Sequence, residues 1–135
     1  MNFDGKTTMR GQSLLASTTI SSGTPVQSAS ITSNGYRYTL LLLNEFHASA
    51  ATLTATLEDS ADNSNWAEIG TAVTDFTGTG AIYGRGFLVR HEAARQYVRL
   101  KVTRLTGTIV VGVTALQYNK INSSDPVSQI GLSAL

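Results

Sequence analysis

Apolar and polar residues alternate along most of this chain with a period of two, the pattern of a β-strand that buries one face. ATLTATLE, residues 51–58, shows the pattern most clearly: Leu53, Ala55 and Leu57 share one side, and the threonines share the other. QYVRLKVTR, residues 96–104, repeats it. No long segment carries apolar residues at the 3.6-residue spacing of a helix, so the pattern predicts an all-β protein.

Clusters of Gly, Asn, Asp and Ser separate about eight such segments, and Asn34-Gly35 and Thr106-Gly107 are turn signals between neighbouring strands. The predicted strands are 13–20, 25–32, 36–46, 51–58, 66–76, 81–90, 96–104 and 108–118. Regular strands with short links predict an antiparallel β-sandwich that is jelly-roll-like, with extended terminal arms. The predicted organisation is an N-terminal arm (1–12), a β-sandwich domain (13–118) and a C-terminal arm (119–135).

The segment YRYTLLLLNEF, residues 36–46, breaks the alternation with four consecutive leucines. Each sheet of a sandwich has one face in the core and one outside, so either Leu40 and Leu42 or the other two leucines lie outside. The predicted strand 108–118 shows the same feature: Val110 and Leu116 lie on one side, and its other aliphatic residues lie on the opposite side.

An exposed apolar patch on a domain usually marks an interface. The sequence therefore predicts a subunit interface that contains Leu40, Leu42, Val110 and Leu116. Two alternatives stay open: a terminal arm of the same chain covers the patch, or a bulge turns one leucine aside.

Charge and composition narrow the choice of partners. The net charge is +1 and only 14% of residues are charged, so nothing in the bulk electrostatics favours nucleic acid or an anionic membrane. The longest leucine run is far shorter than the ~20 apolar residues of a membrane-spanning helix. The N-terminus, MNFDGKTTMRGQ, lacks the apolar core of a signal peptide, and the chain has no cysteine. We expect no binding to nucleic acid or to membranes, no secretion by the standard route and no insertion into a membrane.

Catalytic and metal-binding patterns are weak. His47 and His91 lie near predicted strand ends and are expected at the surface or in loops, without HxxxH spacing. No GxSxG elbow is present. The segment 59–65, DSADNSN, is interpreted as a hairpin turn and not a calcium loop, because the EF-hand order is missing. We predict no catalytic residue, metal or cofactor.

Six basic residues lie close together in the second half of the chain: Arg85, Arg90, Arg95, Arg99, Lys101 and Arg104. A solvated sheet face is the favoured interpretation, and a basic patch that docks on an acidic protein is the alternative. The single Trp66 is interpreted as a hairpin-end residue, with sugar stacking as the alternative.

Three segments together resemble a known family. These are ATLTATLEDSADNSNWAEIG (51–70), GRGFLVR (84–90) and ARQYVRLKVTRLTGTIVVGVTAL (94–116). They are similar to the small capsid cement proteins of tailed bacteriophages, in which a TLTVTLQ-type strand leads into an Asp/Asn loop, and an RYVRLKV-type strand and a TG turn follow. The resemblance covers about residues 36–118.

The resemblance implies a non-catalytic, homo-oligomeric virion protein, made in the host cytoplasm, that bridges major capsid subunits on the exterior of the head and stabilises the expanded capsid. It implies a homodimer or homotrimer, and no cofactor. Apolar residues in both termini then suggest arms that lie on the shell. The predicted capsid contacts are Phe3, Met9, Arg10, Ile130 and Leu132. The alternatives are another phage component, such as a head-completion or tail protein, and a carbohydrate-binding sandwich.

Overall fold

Eight β-strands form wherever the sequence alternates, as the computed structural model shows for residues 9–47, 50–76 and 81–119, with backbone only for 71–76 and 81–83. The strands are β1 (Arg10–Ile20), β2 (Val26–Gln27), β3 (Tyr38–His47), β4 (Ala51–Ser60), β5 (Ala67–Phe76), β6 (Ala81–Arg90), β7 (Tyr97–Thr106) and β8 (Ile109–Tyr118). The prediction of an all-β sandwich is confirmed. Among the described residues, no helix is long and apolar enough to cross a bilayer.

The strands form two four-stranded antiparallel sheets, which we call sheet A (order β1-β8-β3-β6) and sheet B (order β2-β7-β4-β5). Four of the pairs join β1 with β8, β2 with β7, β3 with β6 and β4 with β5. This is the pairing of one long hairpin rolled into two layers, the arrangement of a jelly roll.

The core lies between the sheets and is made by the inward-facing residue of each alternation. Sheet A contributes Leu41, Leu43 and Phe87, and sheet B contributes Leu53 and Leu100, all with no exposed surface. Burying each such side chain stabilises the fold by ~1.5–3 kcal/mol relative to leaving it in water.

Most predicted strand boundaries lie within two residues of the observed ones, and the differences are larger at two places. β1 begins at Arg10, so the last three residues of the predicted arm 1–12 belong to the sandwich. The predicted strand 25–32 is reduced to two paired residues and an isolated bridge from Ile31 to Val98. Residues 1–8 and 120–135, which hold most of both predicted arms, lie outside the described residues.

Two turns need backbone conformations that the sequence signals. Asn34 and Gly35 have φ angles of 51° and 83°, which Asn and Gly adopt most readily. Gly107 has a φ of 76° between β7 and β8. Both predicted turns are therefore confirmed.

Candidate functional site: the outer face of sheet A

The four consecutive leucines of β3 divide between the two faces of sheet A. Leu41 and Leu43 join the core between the sheets. Because successive side chains of a strand point to opposite faces, Leu40 and Leu42 lie on the outer face. The prediction that two of the leucines lie outside the core is confirmed.

The pairing of β3 with its neighbours brings further apolar residues to this face. Leu40 is opposite Leu116 of β8 and Leu88 of β6. Phe46, further along β3, is opposite Val110. We call this surface the leucine face and define it by six residues. These are Leu40, Leu42, Phe46, Leu88, Val110 and Leu116.

Exposure varies among the residues of the leucine face. Leu40 is 0% exposed within the single chain, flanked by two leucines, so it offers no free surface to another subunit. Leu42, Val110 and Leu116 are half-buried. Phe46 is 40% exposed. The assignment of Leu40, Leu42, Val110 and Leu116 to a subunit interface stays a prediction.

A groove of about 470 Å³ lies beside Phe46 and Val110, where β1 leaves its regular pairing with β8. Leu15 pairs with Val113 and Thr18 with Val111, so β1 has an extra residue between these two pairs and bulges. Gly112 of β8 lines the groove. The groove is open and partly apolar, and it extends the leucine face towards β1.

The opposite side of the molecule, the outer face of sheet B, is charged and internally paired. Arg99 Nε donates to Glu58 Oε1 at 2.8 Å, and Lys101 Nζ lies 3.4 Å from Glu58 Oε2. The pair of Arg95 and Asp59, with 2.8 Å between Nη2 and Oδ1, lies at the end of the sandwich, because Asp59 has the inward parity of Leu57 and is opposite Val98. These pairs support a solvated, ion-paired face over an unpaired basic patch.

Trp66 belongs to this charged face. The Arg99 guanidinium lies 4.0 Å from the centroid of the Trp66 ring, within the range of a cation–π contact. Trp66 is half-buried. One face of the ring is thus covered by Arg99, which does not favour sugar stacking there.

Histidine placement corrects the sequence-based expectation. His47 is 0% exposed in the interior of the sandwich, with Nε2 3.0 Å from Glu45 Oε1. Burial raises the pKa of Glu45, although the hydrogen bond and charge of His47 and the charge of Arg85 oppose the shift. The surface assignment of His47 is wrong because Glu45 and His47 have the same strand parity as Leu41 and Leu43.

A second polar network closes the other end of the sandwich. The Thr39 Oγ1 lies 2.6 Å from His91 Nε2, and the Gln117 amide donates to Thr39 Oγ1 at 3.0 Å. Asn34 donates to Gln117 at 3.1 Å, which fixes the Asn34 turn to β8. Burial lowers the pKa of His91. These polar side chains therefore have hydrogen-bond partners within the fold, which gives them a structural role.

Neither network forms a metal centre: in the described part of the chain, no three His, Cys, Asp or Glu residues are grouped to hold an ion. The loop after β4 is the predicted hairpin turn. Asp62 accepts hydrogen bonds from the backbone of Ser64 (2.9 Å) and Asn65 (2.8 Å), which hold the pKa of Asp62 well below its usual range.

The predicted capsid-contact residues are placed only in part. Met9 is 49% exposed, and Arg10 is exposed and donates to Gln12 at 3.2 Å. Phe3, Ile130 and Leu132 lie outside the described residues. Phe46 was not predicted, although continuing the alternation from Leu40 and Leu42 indicates its position on the outer face.

Comparisons with known proteins give a structural neighbour and no family. No protein-family model matches the chain, and no curated protein matches it. The similar solved structures include one titled as the PBSX exported protein XepA. It superposes on 87% of this chain with a TM-score of 0.55 and 11% identity. The chain spans about 41% of the length of that protein. At this identity the likeness shows a shared fold.

Proposed function

We propose that this chain is a structural virion protein that binds the outer surface of a phage head and bridges neighbouring major capsid subunits. In this role it stabilises the expanded capsid without catalysing a reaction. It acts as a homo-oligomer, with the capsid and other copies of itself as its partners.

The observation that carries the proposal is the leucine face. Phe46 is 40% exposed and lies opposite half-buried Val110. Half-buried Leu42, Leu88 and Leu116 lie further along the same face, beyond Asn44. A face on which several apolar side chains are exposed or half-buried usually marks a contact with another molecule. In this proposal that molecule is the capsid, whereas the sequence predicted a subunit contact there. On the opposite side of the sandwich, Glu58 pairs with Arg99 and Lys101, so these charges do not offer an equivalent unpaired surface.

Two further observations support a phage particle as the place of action. The segments 51–70, 84–90 and 94–116 resemble those of capsid cement proteins. The same fold occurs in XepA, which its title attributes to PBSX, a phage. Because the match spans less than half of XepA, the activity of that protein is not carried over to this chain.

Avidity explains how a small apolar face can be sufficient for stable binding to the capsid. Burying one large apolar side chain contributes ~1.5–3 kcal/mol, which alone gives a weak contact. A symmetric oligomer that binds several capsid subunits at once makes several such contacts, and its avidity exceeds the single-site affinity by a factor of ~10²–10⁴. Exposed Met9 and Arg10, at the start of β1, lead into the predicted N-terminal arm, which adds contact area in this proposal.

The test is co-sedimentation of the purified protein with undecorated, expanded heads of the phage that encodes it. We expect the wild-type protein to pellet with the heads and Phe46→Thr to bind at least about tenfold more weakly, since about 1.4 kcal/mol corresponds to tenfold. Leu105→Thr is the matched control, because Leu105 is 49% exposed on β7 of sheet B.

Three results would contradict the proposal. One is failure of the wild-type protein to pellet with heads. Another is equal weakening by Phe46→Thr and Leu105→Thr. The third is binding to tails or to the head vertex only, which would favour the head-completion or tail alternative. Binding to a glycan array without binding to heads would favour the carbohydrate-binding alternative.

A further inference from the structure

The free edge of β6 differs from the other sheet edges of the described residues. Edge strands invite pairing with another chain, and proteins usually blunt them with bulges, charges or short length. β1 is bulged at two places, and β2 has two residues. The β4–β5 pairing is shifted at Ile69, between Gly70 and Glu68.

β6 has no bulge and is not short, although it carries two charged residues, Arg85 and Arg90. It pairs with β3 over ten consecutive residues without a register shift, so its backbone is regular from Ala81 to Arg90. Among the eight strands, β3 is its one neighbour. A regular edge of this length presents a row of backbone donors and acceptors suited to one more antiparallel strand.

An apolar cleft opens beside the same edge. It has a volume of about 540 Å³ and lies between β6 and the bulged part of β5. Its walls include buried Leu57, Phe87 and Val89, together with Ile69, which is 46% exposed. A strand that extends sheet A past β6 would cover the open side of this cleft.

We propose that the occupant is β6 of a second copy, paired antiparallel across a two-fold axis so that the two A sheets form one continuous eight-stranded sheet. In an antiparallel ladder, two residues directly opposite each other form either a hydrogen-bonded pair or a non-hydrogen-bonded pair, and the two pair types alternate along the strand. A residue of β6 can therefore be opposite only a residue an even number of positions away. A two-fold axis that relates the two strands must then place one residue opposite its own copy.

Two choices of axis pair nearly the whole strand. An axis at Arg85 sets two arginines opposite each other, which destabilises a cross-strand pair. An axis at Gly86 pairs residues 82–90 of both copies and avoids this. It sets Gly84 opposite Leu88, a small residue against a large one, and Arg85 opposite Phe87. The register at Gly86 is therefore the one that the sequence of β6 fits.

The interface lies at the edge of β6, where it includes Leu88 of the leucine face, and it does not depend on the capsid role. The two leucine faces of the dimer would lie side by side on the same surface of the joined sheet. The dimer thus presents two copies of the same apolar surface in one direction.

The test uses disulfide trapping, for which the cysteine-free chain is well suited. The double variant Gly84→Cys/Leu88→Cys places two cysteine pairs across the axis at Cα separations of roughly 4.5–5.5 Å, within reach of a disulfide. Within one strand the two positions are roughly 13 Å apart, too far for an internal bridge. An added Cβ at Gly84 comes no closer than 4.0 Å to Asn44 Oδ1, so this substitution is tolerated.

We expect mild oxidation to convert most of the double variant into covalent dimers, whereas the single variants Gly84→Cys and Leu88→Cys stay uncrosslinked. Sedimentation velocity of the wild-type protein should give a dimer mass. A wild-type monomer or trimer at the highest soluble concentration overturns the inference even if the variants do not fold. Equal crosslinking in the single variants, or none in the double, overturns it as well. Neither measurement involves heads. A trimer, or absence of the crosslink, overturns this inference alone, whereas a monomer would also contradict the homo-oligomer of the proposed function.

Discussion

Single residues show how local conformation and burial decide what each position tolerates. Gly107 has a φ of 76° in the turn between β7 and β8, and its carbonyl accepts a hydrogen bond of 3.0 Å from Arg104. A Cβ there would lie 2.5 Å from the Ala50 carbonyl oxygen. Conformation and space both restrict this position to glycine.

We predict that Gly107→Ala lowers the free energy of unfolding by about 1–3 kcal/mol, the usual cost of overpacking or of backbone strain. Urea denaturation followed by tryptophan fluorescence measures it. Gly23→Ala is the control, since an added Cβ at Gly23 meets nothing within 4 Å. Equal stability of the Gly107 variant and wild type would show that the turn is not restricted in this way.

His91 makes stability depend on pH. Burial lowers the pKa of His91 in the folded protein below the ordinary value of 6.5. The unfolded chain therefore binds a proton more readily, so stability is present above pH 6.5 and falls as the pH drops through 6.5 towards the folded value.

His91→Gln keeps a side-chain amide within reach of Thr39 and removes the titration. We predict that the wild-type protein loses more stability than this variant between pH 7.5 and the folded pKa of His91, as measured by thermal unfolding across this range. Parallel pH profiles for the two proteins would show that His91 does not titrate as described.

At the scale of strands, the turn after β6 is attached to sheet B by one buried carboxylate. Asp59 accepts hydrogen bonds from the backbone N–H of Arg95 at 3.0 Å and from its Nε at 2.9 Å. Burial opposes ionisation, but these bonds and the charge of Arg95 hold the pKa of Asp59 below its ordinary value of 3.8. Its stabilisation is present above pH 3.8 and lost as the pH falls through the lower folded value.

Asp59→Asn should cost about 1–3 kcal/mol of stability near neutral pH, because a hydrogen bond to a charged group is lost or weakened. Glu92→Gln, a charge removal at an exposed residue of the same turn, should cost far less. Chemical denaturation at pH 7 and again near pH 3 measures both. The deficit of the Asp59 variant should shrink at the lower pH, and a deficit independent of pH would contradict the assigned charge.

The sequence predicts strands well where a regular period-two pattern meets a regular ladder, as in β3, β4, β7 and β8. It does not predict the shortness of β2, because the pairing of that segment depends on β7, far along the chain. The bulges of β1 also depend on the partner strand. The interior position of His47 could be predicted from strand parity. The complete burial of Leu40 could not, because it depends on leucines of two other strands.

At the scale of the whole molecule, the two sides of the sandwich have different chemistry. The outer face of sheet B matches its charges internally, with Glu58 between Arg99 and Lys101. The outer face of sheet A instead presents Phe46 and half-buried aliphatic side chains. Such an asymmetry orients a protein on a larger surface, with its apolar side against that surface and its charged side in water.

The most direct test of this orientation is hydroxyl-radical labelling of the protein free in solution and bound to heads, with the labelled residues identified by mass spectrometry. We predict that Phe46 is labelled less on the head, while Leu105 is labelled equally in both states. Unchanged labelling of Phe46 together with protection of Leu105 would show that the protein binds through its other side, contrary to the proposed orientation.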